Sequence, residues 1–146
     1  MDISFLKFEN DHREYVWLTY VNAMKHHIEK IWGWDNSWQK ENYSNSLEIY
    51  STYILILEDQ RLGYIQFKQD NNFIFLSMIV LDAKYQSNGY GPIIIDKIQA
   101  LQPELPLKLR CFKVNQNAYN FYLKNGFKLL SSDNEFHTLY RDKKDT

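Results

Sequence analysis

The residues with the most evident chemical potential are the seven at 86–92, Gln-Ser-Asn-Gly-Tyr-Gly-Pro. Two glycines two positions apart let the backbone turn tightly and approach a ligand closely. Pro92 is predicted at the first position of a helix, where its fixed φ fits and its missing N–H has no intrahelical partner to lose. Amide hydrogens of such a turn converge on one point, in front of the positive end of a helix dipole. That geometry holds phosphate, although a Gly-x-Gly is also a plain tight turn. The loop lacks the Gly-Lys-Ser/Thr ending of a P-loop and the third glycine of a dinucleotide fingerprint.

A second patch concentrates reactive and aromatic types. Trp32, Trp34 and Trp38 fall within seven positions, beside His26, His27, Glu29 and Asp35. The tryptophans pack a helix corner or line an acceptor pocket that holds a cationic amine over an aromatic face. Adjacent histidines point to different sides of a helix, which argues against a metal site. The single cysteine, Cys111, sits among Leu107, Leu109 and Phe112 and reads as a small core residue in a strand.

Those residues must be positioned by the elements around them. Alternation predicts strands over 3–8, 52–57, 62–67, 73–81 and 107–112, and a final hairpin of 127–130 with 136–140. Asp59, Gln60 and Arg61 are expected to link the second and third strands. Val16, Tyr20, Ala23, Met24, His27 and Ile31 recur at helical spacing, with Asn10 or Asp11 as cap and Gly33 just beyond the end. Asp35 or Asn36 caps a second helix to about Ser46. A third follows the glycine loop over 93–101, and a fourth starts at Asn115 or Asn117 and ends before Gly126. The strand–helix–strand run over 73–112 implies parallel neighbours joined by a crossover. The tail from 141 to 146 is polar and expected to fray.

The totals set limits. A length of 146 residues predicts one domain, 1–146, able to bury roughly 70% of its unfolded surface. Composition is ordinary for a globular chain except for aromatic residues at 16%, and the net charge of −1 gives no general pull on nucleic acid or acidic membranes. One cysteine rules out an internal disulfide and fits a reducing compartment; with no signal peptide at the start and no apolar run near 18 residues, a cytoplasmic location is expected.

Two motifs in order resemble a known family. Gln86-Ser87-Asn88-Gly89-Tyr90-Gly91 is similar to the Arg/Gln-x-x-Gly-x-Gly/Ala motif of the GNAT acetyltransferases. The run from Asn115 through Ala118 and Tyr122 to Gly126-Phe127 resembles that family's Asn-x-x-Ala-x-x-x-Tyr-x-x-x-Gly-Phe. The resemblance implies an α/β (α+β) fold, with a mixed, mostly antiparallel sheet of six or seven strands flanked by about four helices. It also implies N-acetyl transfer from acetyl-CoA to a primary amine by direct attack in a ternary complex, with no metal.

By that resemblance Gln86, Ser87, Asn88, Gly89, Tyr90 and Gly91 would hold the CoA pyrophosphate, with one amide donor lost at Pro92. The backbone of Ile79, Val80 and Leu81 would pair with the pantetheine arm, and Asn115 and Asn117 would lie near the cofactor. Tyr122 would protonate the departing thiolate. Ser77 and Met78 stand where several members carry a carboxylate base, so Glu29 is the expected base, with Asp35, His26 and His27 as other candidates. Trp32, Trp34 and Asp35 would line the acceptor site for a small-molecule or peptide amine, and the protein would be a monomer or homodimer. The missing strand carboxylate leaves a second possibility, a non-catalytic acyl-CoA-binding sensor.

Overall fold

The computed structural model describes residues 2–143. The tail expected to fray from 141 begins later than that, since Arg141 ends a strand and pairs with Leu107, and residues 144–146 lie outside the described ones. Seven strands form one sheet in the order β1-β2-β3-β4-β5-β7-β6. They are β1 (Ser4–Lys7), β2 (Ser51–Leu57), β3 (Gln60–Gln69), β4 (Ile74–Leu81), β5 (Leu107–Phe112), β6 (Lys128–Ser132) and β7 (Phe136–Arg141). The helices are α1 (Arg13–Ile31), α2 (Asn36–Ile49), α3 (Tyr90–Gln99) and α4 (Gln116–Lys124). The fold is therefore the expected mixed, mostly antiparallel one, and only β4 and β5 run parallel.

Local chemistry sets most boundaries. The link between β2 and β3 is shorter than expected: Leu57 pairs with Gln60, leaving Glu58 and Asp59 as a two-residue turn at φ 50° and 64°. Positive φ at both positions matches the twist of a hairpin. Asn10 and Asp11 do not cap α1: they lie in a 3-10 turn, Asn10–His12, capped by Glu9, whose backbone N–H donates to His12 Nδ1 at 2.9 Å, and His12 is the residue before α1. Asp35 does cap α2, its carboxylate accepting from the Trp38 N–H at 3.0 Å, and the helix runs three residues further than Ser46. Helix α3 starts at Tyr90, which makes Pro92 its third residue rather than its first. A third-position amide also lies within the unpartnered first turn, so the proline is still tolerated.

The larger core lies between the sheet and helix α3, whose Ile94, Ile95 and Ile98 are completely buried against Leu62, Ile65, Leu76, Leu107 and Leu139. A second cluster joins Val16 and Tyr43 to Ile54, Tyr64 and Val80 under α1 and α2. Pairing β4 with both neighbours is not uniform. It pairs with β3 from Ile74 to Leu81, but with β5 only at Ile74, Phe75 and Leu76. At that point the register shifts: Gln66 faces Met78 and Phe67 faces Leu76, so Ser77 is an extra residue on β4. A bulge bends a strand and raises its local twist. Beyond it β4 and β5 part.

Candidate active site

The parting leaves two strand edges facing each other without mutual hydrogen bonds. In the sheet ladder residues 78–81 of β4 pair only with β3, and Arg110, Cys111 and Phe112 of β5 only with β7. A cavity of about 540 Å³ opens there, lined by Ser77, Met78, Ile79 and Val80 from one strand and those three residues from the other. Unpaired strand edges present main-chain donors and acceptors to an extended ligand.

At one end of β4 stands the glycine loop. Ser87 and Gly89 both adopt positive φ, 63° and 83°, and Gly89 is the residue immediately before α3. Gln86 is held by its side-chain amide, which donates to the Leu81 carbonyl at 2.9 Å, and Asn88 by a bond to the Lys84 carbonyl at 3.2 Å. Among the described residues, the N–H groups of Ser87, Asn88, Gly89, Tyr90 and Gly91 donate to no protein acceptor. The loop is exposed, and neither it nor Leu81 belongs to the cavity wall. Gly91 is buried for a different reason: a Cβ there would come within 2.5 Å of the Phe121 ring. The missing side chain lets α4 sit directly against the start of α3.

Helix α4 is placed by that contact and by its cap. Asn115 Oδ1 accepts from the Ala118 N–H at 3.2 Å, and Asn115, Ala118 and Tyr122 all line the cavity. Asn117 does not. The Tyr122 ring packs edge-on to Phe121 and Phe127, and its hydroxyl has no hydrogen-bond partner among the described residues. Burial pushes the Tyr122 phenol well above its ordinary value, with nearby Cys111 adding to the rise. Burial likewise lifts the Cys111 thiol to about 11, so it is neutral at pH 7 and not an activated nucleophile.

The opposite wall comes from α1 and α2. Tyr20, Met24, Ile28 and Trp32 repeat every four residues down α1, and Trp38, Gln39, Asn42, Tyr43, Ser46 and Ile49 form the matching stripe on α2. The stripe on α1 differs from the expected one: Ala23 packs in the second cluster, and His27 and Ile31 are off the cavity. Tyr20 donates to Gln39 Oε1 at 2.7 Å, and Tyr43 to the Arg13 carbonyl at 2.6 Å. Gln66 Nε2 donates to Thr52 and Ser46 hydroxyls at 3.1 and 3.3 Å. Tyr64 is 1% exposed, and among the described residues its hydroxyl has no partner.

Several sequence candidates stand elsewhere. Glu29 follows Ile28, so it is turned about 100° away from the cavity stripe, and it pairs with Lys25 at 3.9 Å. Asp35 is occupied as a helix cap, and Trp34 packs on Trp17 and Tyr20 behind the wall. His26 and His27 meet edge-on outside the cavity, and burial, with His26 and Lys30 nearby, lowers the His27 pKa. Trp32 does line it, touching Phe112 and Phe136. Among the described residues no group of three His, Cys, Asp or Glu could hold a metal ion, and no helix is long and apolar enough to cross a membrane. Tyr64, Gln39 and Gln66 were not singled out from the sequence. Two of them lie on strand β3, where nothing in the spacing separates a cavity residue from a core one.

A parted pair of parallel strands, with a glycine loop opening a helix beside it, is the layout of an α/β fold that the two sequence motifs led us to expect. The chain belongs to the acetyltransferase (GNAT) family, whose profile matches residues 10–127. None of the curated protein sequences matches it. Among solved structures it resembles the PaiA N-acetyltransferase of Thermoplasma acidophilum in complex with coenzyme A, at 21% identity over 97% of this chain and 99% of that one, with a TM-score of 0.78. An acetyltransferase from Thermus thermophilus matches at 13% identity over 97% of each chain, with a TM-score of 0.78. A GNAT acetyltransferase from Staphylococcus aureus matches at 20% identity over 98% and 100%, with a TM-score of 0.71.

Proposed function

We propose that this acetyltransferase moves an acetyl group from acetyl-CoA to a primary amine, with both substrates bound together on one domain. The observation that carries the reading is the gap between β4 and β5, with Tyr122 on its wall and the glycine loop at its end. Acetyl-CoA supplies the activated acetyl thioester. The amides from Ser87 to Gly91, which have no protein acceptor, hold its pyrophosphate at the positive end of α3. The free edge of Ile79, Val80 and Leu81 pairs with the pantetheine arm as an added strand. An N–H on that edge is placed to polarise the thioester carbonyl.

Tyr122 donates the proton that the departing sulfur needs. Its hydroxyl is spent on no protein partner, and its raised pKa keeps it protonated throughout the neutral range. The same apolar surroundings make the thiolate a stronger base, so the transfer stays matched. Among the described residues lining the cavity there is no carboxylate and no imidazole. With Glu29 outside the wall, we assign loss of the amine proton to solvent. The acceptor is a small-molecule or peptide amine, and a lone cysteine, which can form no internal disulfide, suits a reducing compartment such as the cytoplasm.

Tyr122→Phe tests this. The expected result is a kcat lowered by about 10²-fold, with acetyl-CoA affinity by calorimetry within about threefold of the original. An unchanged kcat removes Tyr122 from its role. The cavity without a carboxylate favours a second reading, a sensor that binds acyl-CoA without turnover. Tight acetyl-CoA binding with no thiol release for any amine would select it.

A further inference from the structure

The acceptor side of the cavity is polar yet uncharged. Tyr20, Gln39, Asn42, Tyr43, Tyr64 and Gln66 line it, and the one charged residue among the described lining is a cation, Arg110. Arg110 pairs with Asp133 at 3.2 Å and lies over the Phe136 ring at 4.0 Å. Two aromatic faces behind the wall already hold the protein's own ammonium groups: Lys25 lies 5.8 Å from Trp34 and Lys40 lies 6.0 Å from Trp17. Trp32 and Trp38, 55% and 56% exposed, flank the open side.

Such a lining penalises an ammonium ion twice. The ion loses water without gaining a counter-charge, and it meets a guanidinium. A lysine-like amine, of pKa ~10.4, is neutral in only about 1 molecule in 2,500 in water at pH 7, and a wall that rejects the ammonium admits only that small fraction. An amine that is already neutral incurs neither cost. The hydroxyl of Tyr64 and the amides of Gln39 and Gln66 suit uncharged polar substituents, and the tryptophans suit a flat body.

Resting on the acetyltransferase reading, we propose that the acceptor is a weakly basic primary amine carried on an aromatic body, an arylamine, rather than a polyamine or a lysine side chain. The nitrogen lone pair forms the new C–N bond as the C–S bond breaks. The sulfur leaves with the Tyr122 proton as the free thiol. The nitrogen gives up one proton to water, which restores Tyr122, and the products are the N-acetyl arylamine and CoA.

The test compares 4-methoxyaniline with spermidine and Nα-acetyl-lysine by thiol release at pH 7. The arylamine is expected to exceed both in kcat/KM by at least about tenfold. Met78→Glu would place a carboxylate on the cavity wall. It is expected to raise kcat/KM for Nα-acetyl-lysine about tenfold and so to shift the preference toward the lysine amine. Acetyl-CoA calorimetry on both proteins reports that the fold and donor site survive. A preference for spermidine or Nα-acetyl-lysine, or equal rates for all three, overturns the proposal. So does a Met78→Glu protein that binds acetyl-CoA yet gains nothing with lysine. No thiol release with any amine, despite bound acetyl-CoA, defeats instead the acetyltransferase reading, and the acceptor class falls with it.

Discussion

The two walls of the cavity are built by different means. On the donor side the positions are fixed by backbone: a bulge at Ser77, a left-handed Gly89, a helix start pressed against Phe121 and a cap at Asn115. On the acceptor side they are fixed by side chains hung from two long helices, with few tertiary hydrogen bonds beyond those of Tyr20, Tyr43 and Gln66. A wall made of main chain tolerates little change in shape, whereas a wall made of side chains changes its selectivity one residue at a time. One side of the cavity is thus set by main chain and the other by side chains.

Five substitutions and one change of pH break or sharpen that contrast. The largest effect is expected from Gly63→Ala, because a Cβ there would lie 1.9 Å from the Val80 carbonyl oxygen, which is main chain and cannot step aside. Urea denaturation should show a loss of about 3 kcal/mol; a loss under about 0.5 kcal/mol would mean that β3 and β4 yield easily. Next is Gly89→Val. Its Cβ meets nothing within 4 Å, so the effect is confined to the φ of 83°. Left-handed backbone costs a branched residue about 1–2 kcal/mol, and calorimetry should find acetyl-CoA bound about tenfold more weakly, with the melting temperature lowered by a few degrees.

The acceptor wall should respond more mildly. Trp38→Ala should raise KM for the amine about threefold and leave kcat alone. Trp34→Ala, behind the wall, should lower stability by about 1–2 kcal/mol through its lost contacts with Trp17 and Tyr20 and leave KM unchanged. The reverse pattern would redraw the wall. The last test is alkaline. Burial lifts Cys111 from 9.0 to about 11 and both Tyr20 and Tyr43 to about 12. The folded state therefore retains protons that the unfolded chain has released. Stability is full below pH 9 and falls as pH rises toward 12. Cys111→Ala should flatten the first part of that fall in pH-resolved urea titrations.

The contrast also explains what could be read from sequence. Backbone-made features leave fixed signatures, so Gly89, Gly91, Asn115 and the strand–helix order around them were legible, and the sheet with them. The bulge at Ser77 was not, because an extra residue in an apolar run changes no residue type and shows only once β3 supplies a register. Helix direction was the other blind spot. Placing Glu29 at the cavity required knowing which of several apolar stripes on α1 faces inward, and Tyr20, Met24, Ile28 and Trp32 turned out to be that stripe. Trp34 and Asp35 failed for a related reason: a corner between helices uses its large and acidic residues to build itself.

The bulge carries one more implication. Strands β4 and β5 stay zipped for three residue pairs and then open where β4 holds one residue more than β3 can match. The width of the slit is therefore a matter of arithmetic along the chain and not of side-chain identity. Exchanging Ser77 for another small residue leaves the count intact, whereas excising it would let the ladder resume and draw the lips of the slit together.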